Sequence, residues 1–282
     1  MKHIKLISVL LLIAMLFTAC SFSKGEGESG EGKAPGADNQ NTNAEKISYE
    51  TPFDKEAGLY NATTGDLKYS WEELLAKKYI TVKETVITAS IDYIRGELYI
   101  PNYISSIKSK AFSACTGLTG VYMGNGIITV GSSSFSGCTG LKTVVFSANI
   151  TNISSKAFAN CTKFRSITIP DSVTNIGASA FSGCTGLLRV TIGNGATNIS
   201  KSAFSGCTGL NEVTLGKNIT CVGSKAFSNC EALVCVNFKG TKAEWYAMNR
   251  SSGNGTLESA IIKTTDYPNG IHEPQSDTSL PA

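Results

Sequence analysis

The chain has 282 residues, a formal net charge of +3 from 25 Lys+Arg against 22 Asp+Glu, and only two histidines, His3 and His272. The near-neutral balance argues against a dedicated nucleic-acid binder, which carries a strongly basic domain. Scarce histidine leaves little for histidine metal sites or Ser-His-Asp chemistry, and nine cysteines, an odd count, call for an account beyond disulfide pairing.

Taken in chain order, residues 1–20 open with Lys2 and Lys5, continue in an apolar run from Leu6 to Phe17, and end in small residues before Cys20. The run is too short for a comfortable membrane-spanning helix. Leu16-Phe17-Thr18-Ala19-Cys20 resembles the lipobox of a bacterial lipoprotein signal peptide. That resemblance implies that 1–19 is a signal peptide and that Cys20 is acylated, with palmitate or a similar chain, giving a membrane anchor of about 0.8 kcal/mol per buried CH₂. A non-lipidated signal peptide and a retained anchor helix are the other readings of the same run. Ser21, where an Asp would hold such a protein at the inner membrane, permits outward sorting. The expected location is the bacterial cell envelope, lipid-anchored, at the outer membrane or cell surface.

Residues 20–65 read as a flexible acidic tether. From Lys24 to Glu56 there are eight acids and four bases and few large apolar groups, too little to offset chain entropy by burial. Residues 66–97 read as an N-terminal cap. Ser70-Trp71-Glu72-Glu73 is a capping box opening a helix through Leu75 to Lys78, and Ile80-Thr81-Val82 with Val86-Ile87-Thr88 forms a hairpin-like pair.

From 98 to 238 the chain repeats every 23 residues. Phe112, Phe135, Phe158, Phe181, Phe204 and Phe227 form one column, and Cys115, Cys138, Cys161, Cys184, Cys207 and Cys230 another. Leu118, Leu141, Phe164, Leu187, Leu210 and Leu233 keep the same step, as do Val121, Val144, Ile167, Val190, Val213 and Val236. Within one unit, Val190 and Ile192 alternate along a strand, Gly193-Asn194-Gly195 turns the chain, and Ala196 to Ile199 is a second short extended piece. Ser202 to Cys207 reads as one helical or 3₁₀ turn. A single 23-residue unit buries about five apolar side chains, too few for the entropy of ordering it, so the units must stack. Residues 239–282 read as a C-terminal cap and loose tail: a short helix across Gly240 to Met248, Trp245 over the last Phe227/Phe238 layer, and a final strand at Ile261 to Thr264.

The unit AFSGCTGLxxVTI, with Ile169-Pro170-Asp171-Ser172-Val173-Thr174 and Ala180-Phe181-Ser182-Gly183-Cys184-Thr185 nearest to consensus, resembles the leucine-rich repeat of BspA-like bacterial surface proteins. The resemblance covers about residues 98–238. It implies an α/β repeat solenoid, a right-handed leucine-rich-repeat coil of about six turns with parallel strands, short helical turns and a cap at each end. It further implies a surface adhesin that binds a host extracellular-matrix or plasma protein, or a partner bacterial surface protein. It brings no catalytic residue, cofactor or metal.

The residues themselves agree with a non-enzymatic reading. Leu98 to Phe238 holds only Asp171, Glu212 and Glu231 as acids, with no two in matching columns, so no glycosidase-type carboxylate pair is in view. The glycine turns at Gly124, Gly193 and Gly253 do not continue into a phosphate-binding motif. The cysteine column reads as buried free thiols. Disulfides are the rival in an exported chain, but stacked copies point their Cβ atoms in parallel, which suits bridging poorly, and a straight column does not converge on a metal. Cys221 and Cys235 lie outside it, and a bond between them is a weaker reading.

The same span carries ten bases, a net of +7. Solubility explains this; a basic face for acidic protein segments or sulfated glycans explains it as well. Outward strand positions are the usual binding surface of a solenoid, though threonine there also simply favours strands. Tyr122, Lys142, Arg165, Arg189, Thr168 and Thr191 are the candidate ligand contacts, because aromatics and arginine dominate binding hot spots. The alternative functions are a structural envelope component without external ligand and a glycan binder.

Overall fold

The computed structural model describes residues 56–90 and 94–270. The expected signal peptide, Cys20 and most of the expected tether lie outside the described residues, as does the tail from residue 271.

The N-terminal cap comprises β1 (Gly58–Tyr60), β2 (Leu67–Ser70), α1 (Trp71–Ala76), β3 (Ile80–Lys83) and β4 (Val86–Ser90). About eight turns follow, most with one strand on each of two faces. Their strands are β5 (Gly96–Tyr99) and β6 (Ser106–Ile107), β7 (Leu118–Tyr122) and β8 (Thr129–Val130), β9 (Thr143–Val145) and β10 (Asn152–Ile153). Next come β11 (Ser166–Ile169) and β12 (Asn175–Ile176), β13 (Arg189–Ile192) and β14 (Asn198–Ile199), β15 (Glu212–Leu215) and β16 (Cys221–Val222). The C-terminal end holds β17 (Cys235–Phe238), α2 (Lys242–Ala247), β18 (Asn249–Arg250), α3 (Gly255–Glu258) and β19 (Ile261–Lys263).

Successive turns pair in parallel, in register with the repeat: Val190 opposite Val213, and Val213 opposite Val236. The short strands form one continuous nine-stranded sheet, β18-β16-β14-β12-β10-β8-β6-β4-β3. The other face is divided into two five-stranded sheets, β2-β1-β5-β7-β9 and β11-β13-β15-β17-β19. Among the described residues only the cap pairs β1–β2, β1–β5 and β3–β4 are antiparallel.

The repeat thus runs to about eight turns rather than six. The terminal turns escape a fixed 23-residue search because their lengths differ. Ile87 stacks on Ile107, whereas Val236 stacks on Ile262 and Val222 on Arg250. The longer last turns accommodate α2, whose Trp245 is buried against Phe238, ring centroids 5.8 Å apart. Ordered structure also begins before the expected boundary at 66. Strand β1 lies between β2 and β5, with Leu59 buried opposite Leu98, so residues 56–65 belong to the cap. The capping box at Ser70 is present as read, and Trp71 Nε1 donates to Tyr103 Oη (2.7 Å).

The third side of each turn is the Phe–Cys corner, and here the expected helical turn does not form. Each corner holds residues with left-handed backbone: Lys156 (φ 56°) and Asn160 (φ 59°) in one turn, Ser179 (φ 57°) and Gly183 (φ 73°) in the next. These break a helix and send alternate N–H groups to the following turn. Phe112 N donates to Ser134 O and Phe135 N to Ala157 O, both at 2.8 Å, while the intervening N–H groups bond three residues back. The corner is a third hydrogen-bonded ladder built from turns.

Inside, the six phenylalanines stack with ring planes within 10° of parallel and centroids 5.1–5.4 Å apart. That is offset stacking at the spacing of the strands. The cysteine column lies beside it as buried free thiols, and Cys221 and Cys235 are free as well. Each thiol from Cys138 to Cys230 donates to the carbonyl of the phenylalanine 26 residues earlier, at 3.0–3.3 Å. Cysteine at this position is therefore a small core residue that also satisfies a carbonyl.

The last turn is closed by a side chain. Asn254 is buried; its Oδ1 accepts from Phe227 N (3.1 Å), and its Nδ2 donates to Gly223 O (3.0 Å) and Ser251 O (2.7 Å). It takes the place of the carbonyl that a further turn would offer. One position breaks the pattern unfavourably. Ser134 stands in the column of Ala111, Ala157, Ala180, Ala203 and Ala226, fully buried, with its hydroxyl unbonded.

Two predictions follow from this core. Ser134→Ala removes an unsatisfied hydroxyl and raises stability by about 1 kcal/mol, read as a higher denaturation midpoint at unchanged slope. The second concerns alkaline pH. Burial, reinforced by the adjacent Cys115, pushes Cys138 up to about 12, and burial with Cys207 beside it does the same for Cys230. Unfolded thiols ionise near pH ~8.5. Stability present below that value is lost as pH rises toward about 12, because the unfolded state releases protons first. The melting temperature falls across this window, and the fall is shallower in a Cys138→Ala/Cys230→Ala variant; equal slopes in the two proteins would contradict the assignment.

Candidate functional site: the outer face of the interrupted sheet

Alternation along the long strands turns one residue in two to the outer face, where Tyr99 and Gly120 are nonetheless buried. The pairing register lines these up in two rows. One runs Glu97, Gly120, Thr143 and resumes at Ser166, Arg189, Glu212, Cys235; the other runs Tyr99, Tyr122, Val145 and resumes at Thr168, Thr191, Thr214, Asn237. Tyr122, Thr168 and Thr191 thus share a row, Arg189 lies in the adjacent one, and Lys142 and Arg165 sit just before β9 and β11. All six candidate contacts belong to this one side of the coil.

Their chemistry differs by position. Tyr122 is half-buried and lies flat on Tyr99, centroids 4.2 Å apart and planes 4° from parallel, and Tyr60 meets Tyr99 edge-on at 5.0 Å. Burial, then the Glu97 carboxylate, raises the Tyr122 hydroxyl above its ordinary value. The three rings form an aromatic platform at the N-terminal end of the face. Tyr99 was legible as the residue 23 before Tyr122, whereas Tyr60 comes from a strand that the repeat does not announce.

Arg189 is not an isolated cation. Its Nε lies 3.2 Å from Glu212 Oε2, and Glu212 Oε1 accepts from Asn237 Nδ2 at 2.7 Å. The pair is solvent-exposed and contributes little to stability, but it cancels the charge that singled out Arg189.

Between these two regions the face opens. Strands β9 and β11 fall in separate sheets, and a cleft of about 420 Å³ lies there, lined by Lys142, Thr143, Val144, Val145, Phe146, Ser166, Thr168 and Pro170. Two of the candidate contacts, Lys142 and Thr168, line it. Among the described residues no three His, Cys, Asp or Glu side chains are grouped as a metal site would need. The face offers an aromatic end, an open polar and apolar cleft with cations beside it, and a threonine-rich surface.

The sequence matches the family described as BspA type Leucine rich repeat region, in six copies, over residues 94–208 and 175–265. Among solved structures it is similar to the pneumococcal vaccine antigen PcpA, with 17% identity, 67% of this chain and 48% of that one covered, and a TM-score of 0.50. A leucine-rich repeat protein from Bacteroides ovatus shares 20% identity over 66% of this chain and 62% of the other, TM-score 0.46. The leucine-rich repeat protein of T. pallidum shares 22% over 55% and 88%, TM-score 0.43. At 17% identity the likeness to the pneumococcal antigen is one of fold. A comparison with curated proteins gives no match.

The aromatic platform generates a prediction. Tyr122→Ala uncovers Tyr99 and lowers unfolding stability by about 2 kcal/mol; an unchanged denaturation midpoint would show that the ring has no structural part.

Proposed function

The chain belongs to the BspA-type leucine-rich repeat family, and from that premise we propose that it is a surface-exposed binding and adhesion protein. It acts through the outer face of the long strands on a host extracellular-matrix or plasma protein, or on a surface protein of another bacterium. Lipid at Cys20 holds it to the membrane, and the segment that follows carries the solenoid outward. The observation that carries this reading is the two-row register of the face. Its side chains stand on a backbone already fixed by the turn-to-turn ladders, so a large partner meets a pre-ordered array and little conformational entropy is lost on binding. The basic residues beside that array favour an acidic partner surface and make the encounter salt-dependent. On this reading the protein is a scaffold for contact rather than an enzyme.

The test is a binding screen with residues 21–282 against immobilised matrix proteins, plasma proteins and whole bacterial cells. Saturable binding that weakens with added salt is expected. Absence of binding to every member at low salt overturns the proposal. For the anchor, Cys20→Ser abolishes metabolic labelling by palmitate and releases the protein from membranes; retained label at that position overturns the lipid assignment.

A further inference from the structure

We infer that the Phe–Cys corner side of the coil is a track for a sulfated polysaccharide chain laid along the stack of turns. This surface is separate from the outer face of the long strands, and its partner is a linear polyanion rather than a protein.

Charge is divided unevenly around the coil. The corner segments, 108–117, 131–140, 154–163, 177–186, 200–209 and 223–232, hold Lys108, Lys110, Lys156, Lys163, Lys201 and Lys225 against a single acid, Glu231. That is a net of +5 out of the +7 carried by residues 98–238, on one side of three. All six lysines are exposed, and among the described residues none is in an ion pair. The outer face differs, because Arg189 is held there by Glu212. Unpaired cations of one sign on a fixed support attract an outside anion.

Backbone geometry sharpens the point. Lys110, Ser133, Lys156, Ser179, Ser202 and Lys225 form one column, and all six are left-handed, with φ of 55–60°. Glycine and asparagine suit that conformation best. A second corner column uses them, at Gly137, Asn160, Gly183, Gly206 and Asn229. The column of Lys110 holds lysine or serine instead, so backbone preference does not account for its residues. The corner ladder fixes each site. Lys110 N donates to Ser132 O and Lys156 N to Ala178 O, both at 3.0 Å, and Lys225 N to Ser252 O at 2.9 Å. Where the column has Ser202, Lys201 precedes it. Lysine thus recurs at every second turn from Lys110 through Lys156 to Lys201, a step of about 10 Å, and closes the line at Lys225 about 25 Å from its start.

Beside the lysines the surface is small and polar. Ser113, Ser136, Ser182, Ser205 and Ser228 occupy one half-buried column. Ser113 Oγ donates to Ser136 O (3.3 Å) and Ser182 Oγ to Ser205 O (3.1 Å), which leaves these oxygens to accept from sugar hydroxyls. Among the described residues no exposed large apolar side chain falls in the corner segments. Docking on a bilayer surface calls for such side chains, and single-stranded nucleic acid calls for exposed aromatic rings. Spaced ammonium groups with hydroxyls beside them match a chain that carries both sulfate and hydroxyl groups.

The probe is size-fractionated heparin, titrated into residues 21–282 and followed by calorimetry. Saturable binding is expected. It weakens with added salt and tightens as the heparin chain lengthens toward about 25 Å, because linked contacts act together. Lys110→Ser/Lys156→Ser/Lys225→Ser installs the residue the column already carries at Ser133, Ser179 and Ser202. Its melting curve is unchanged and its heparin affinity falls about tenfold or more. Lys83→Ser/Lys217→Ser/Lys239→Ser removes the same charge from exposed positions elsewhere and leaves heparin binding in place. No heparin binding at low salt, equal loss in the two triple variants, undiminished binding of desulfated heparin, or a disaccharide bound as tightly as the long chain would falsify the track. Phosphatidylserine vesicles are the second probe. If they bind wild type but not the corner variant while heparin binds both alike, the side is a membrane contact and the track fails. Protein partners from the screen are expected to bind the corner variant as they bind wild type.

Discussion

No turn of this molecule is stable by itself. Each completes its backbone hydrogen bonds on the turn beside it, along two strand ladders and a third ladder at the Phe–Cys corner. This requirement fixes most of what else is seen. Side chains one repeat apart must share a rotamer and a neighbour, so phenylalanine stacks on phenylalanine and each thiol reaches the carbonyl below it. The two ends, which have no further neighbour, need different chemistry: an antiparallel cap with Trp71 at one end and the Asn254 amide at the other.

The sequence disclosed the repeating interior almost completely, because translation turns every structural position into a column of like residues. The Phe, Cys, Leu and Val columns are the core, the capping box at Ser70 begins a helix where its spacing places it, and the short helix expected across Gly240 to Met248 forms at Lys242–Ala247. What stayed hidden was whatever breaks translation. Strand β1 pairs with residues that are not its repeat partners, so nothing in the periodicity marks residues 56–65 as ordered. The corner was read as a helical turn because its residues suit one. The left-handed backbone at Lys156 or Ser179 is imposed by pairing with the next turn and leaves no mark in residue type. Glycine or asparagine, at Gly183 or Asn160, is the exception.

The binding face shows the same division. Its two rows follow from alternation, and the six candidate residues fall on that side. Their individual worth does not follow from type. Arg189 is neutralised by Glu212, and Tyr122 is partly consumed in covering Tyr99. Next to the cleft, Phe146 and Phe164 both pack on Phe158, which the type of neither residue announces by itself.

The amide of Asn254 touches nothing beyond the final turn: a phenylalanine N–H, a glycine carbonyl and the local loop. It therefore carries no information about how many turns lie below it. Whole 23-residue units can be gained or lost in the middle of the stack while both ends still fit, each changing the reach by about 4.8 Å. Length is then a freely adjustable property of this architecture, set apart from stability at the ends. The distance between the aromatic platform and the far end of the face can change in steps without redesign of either.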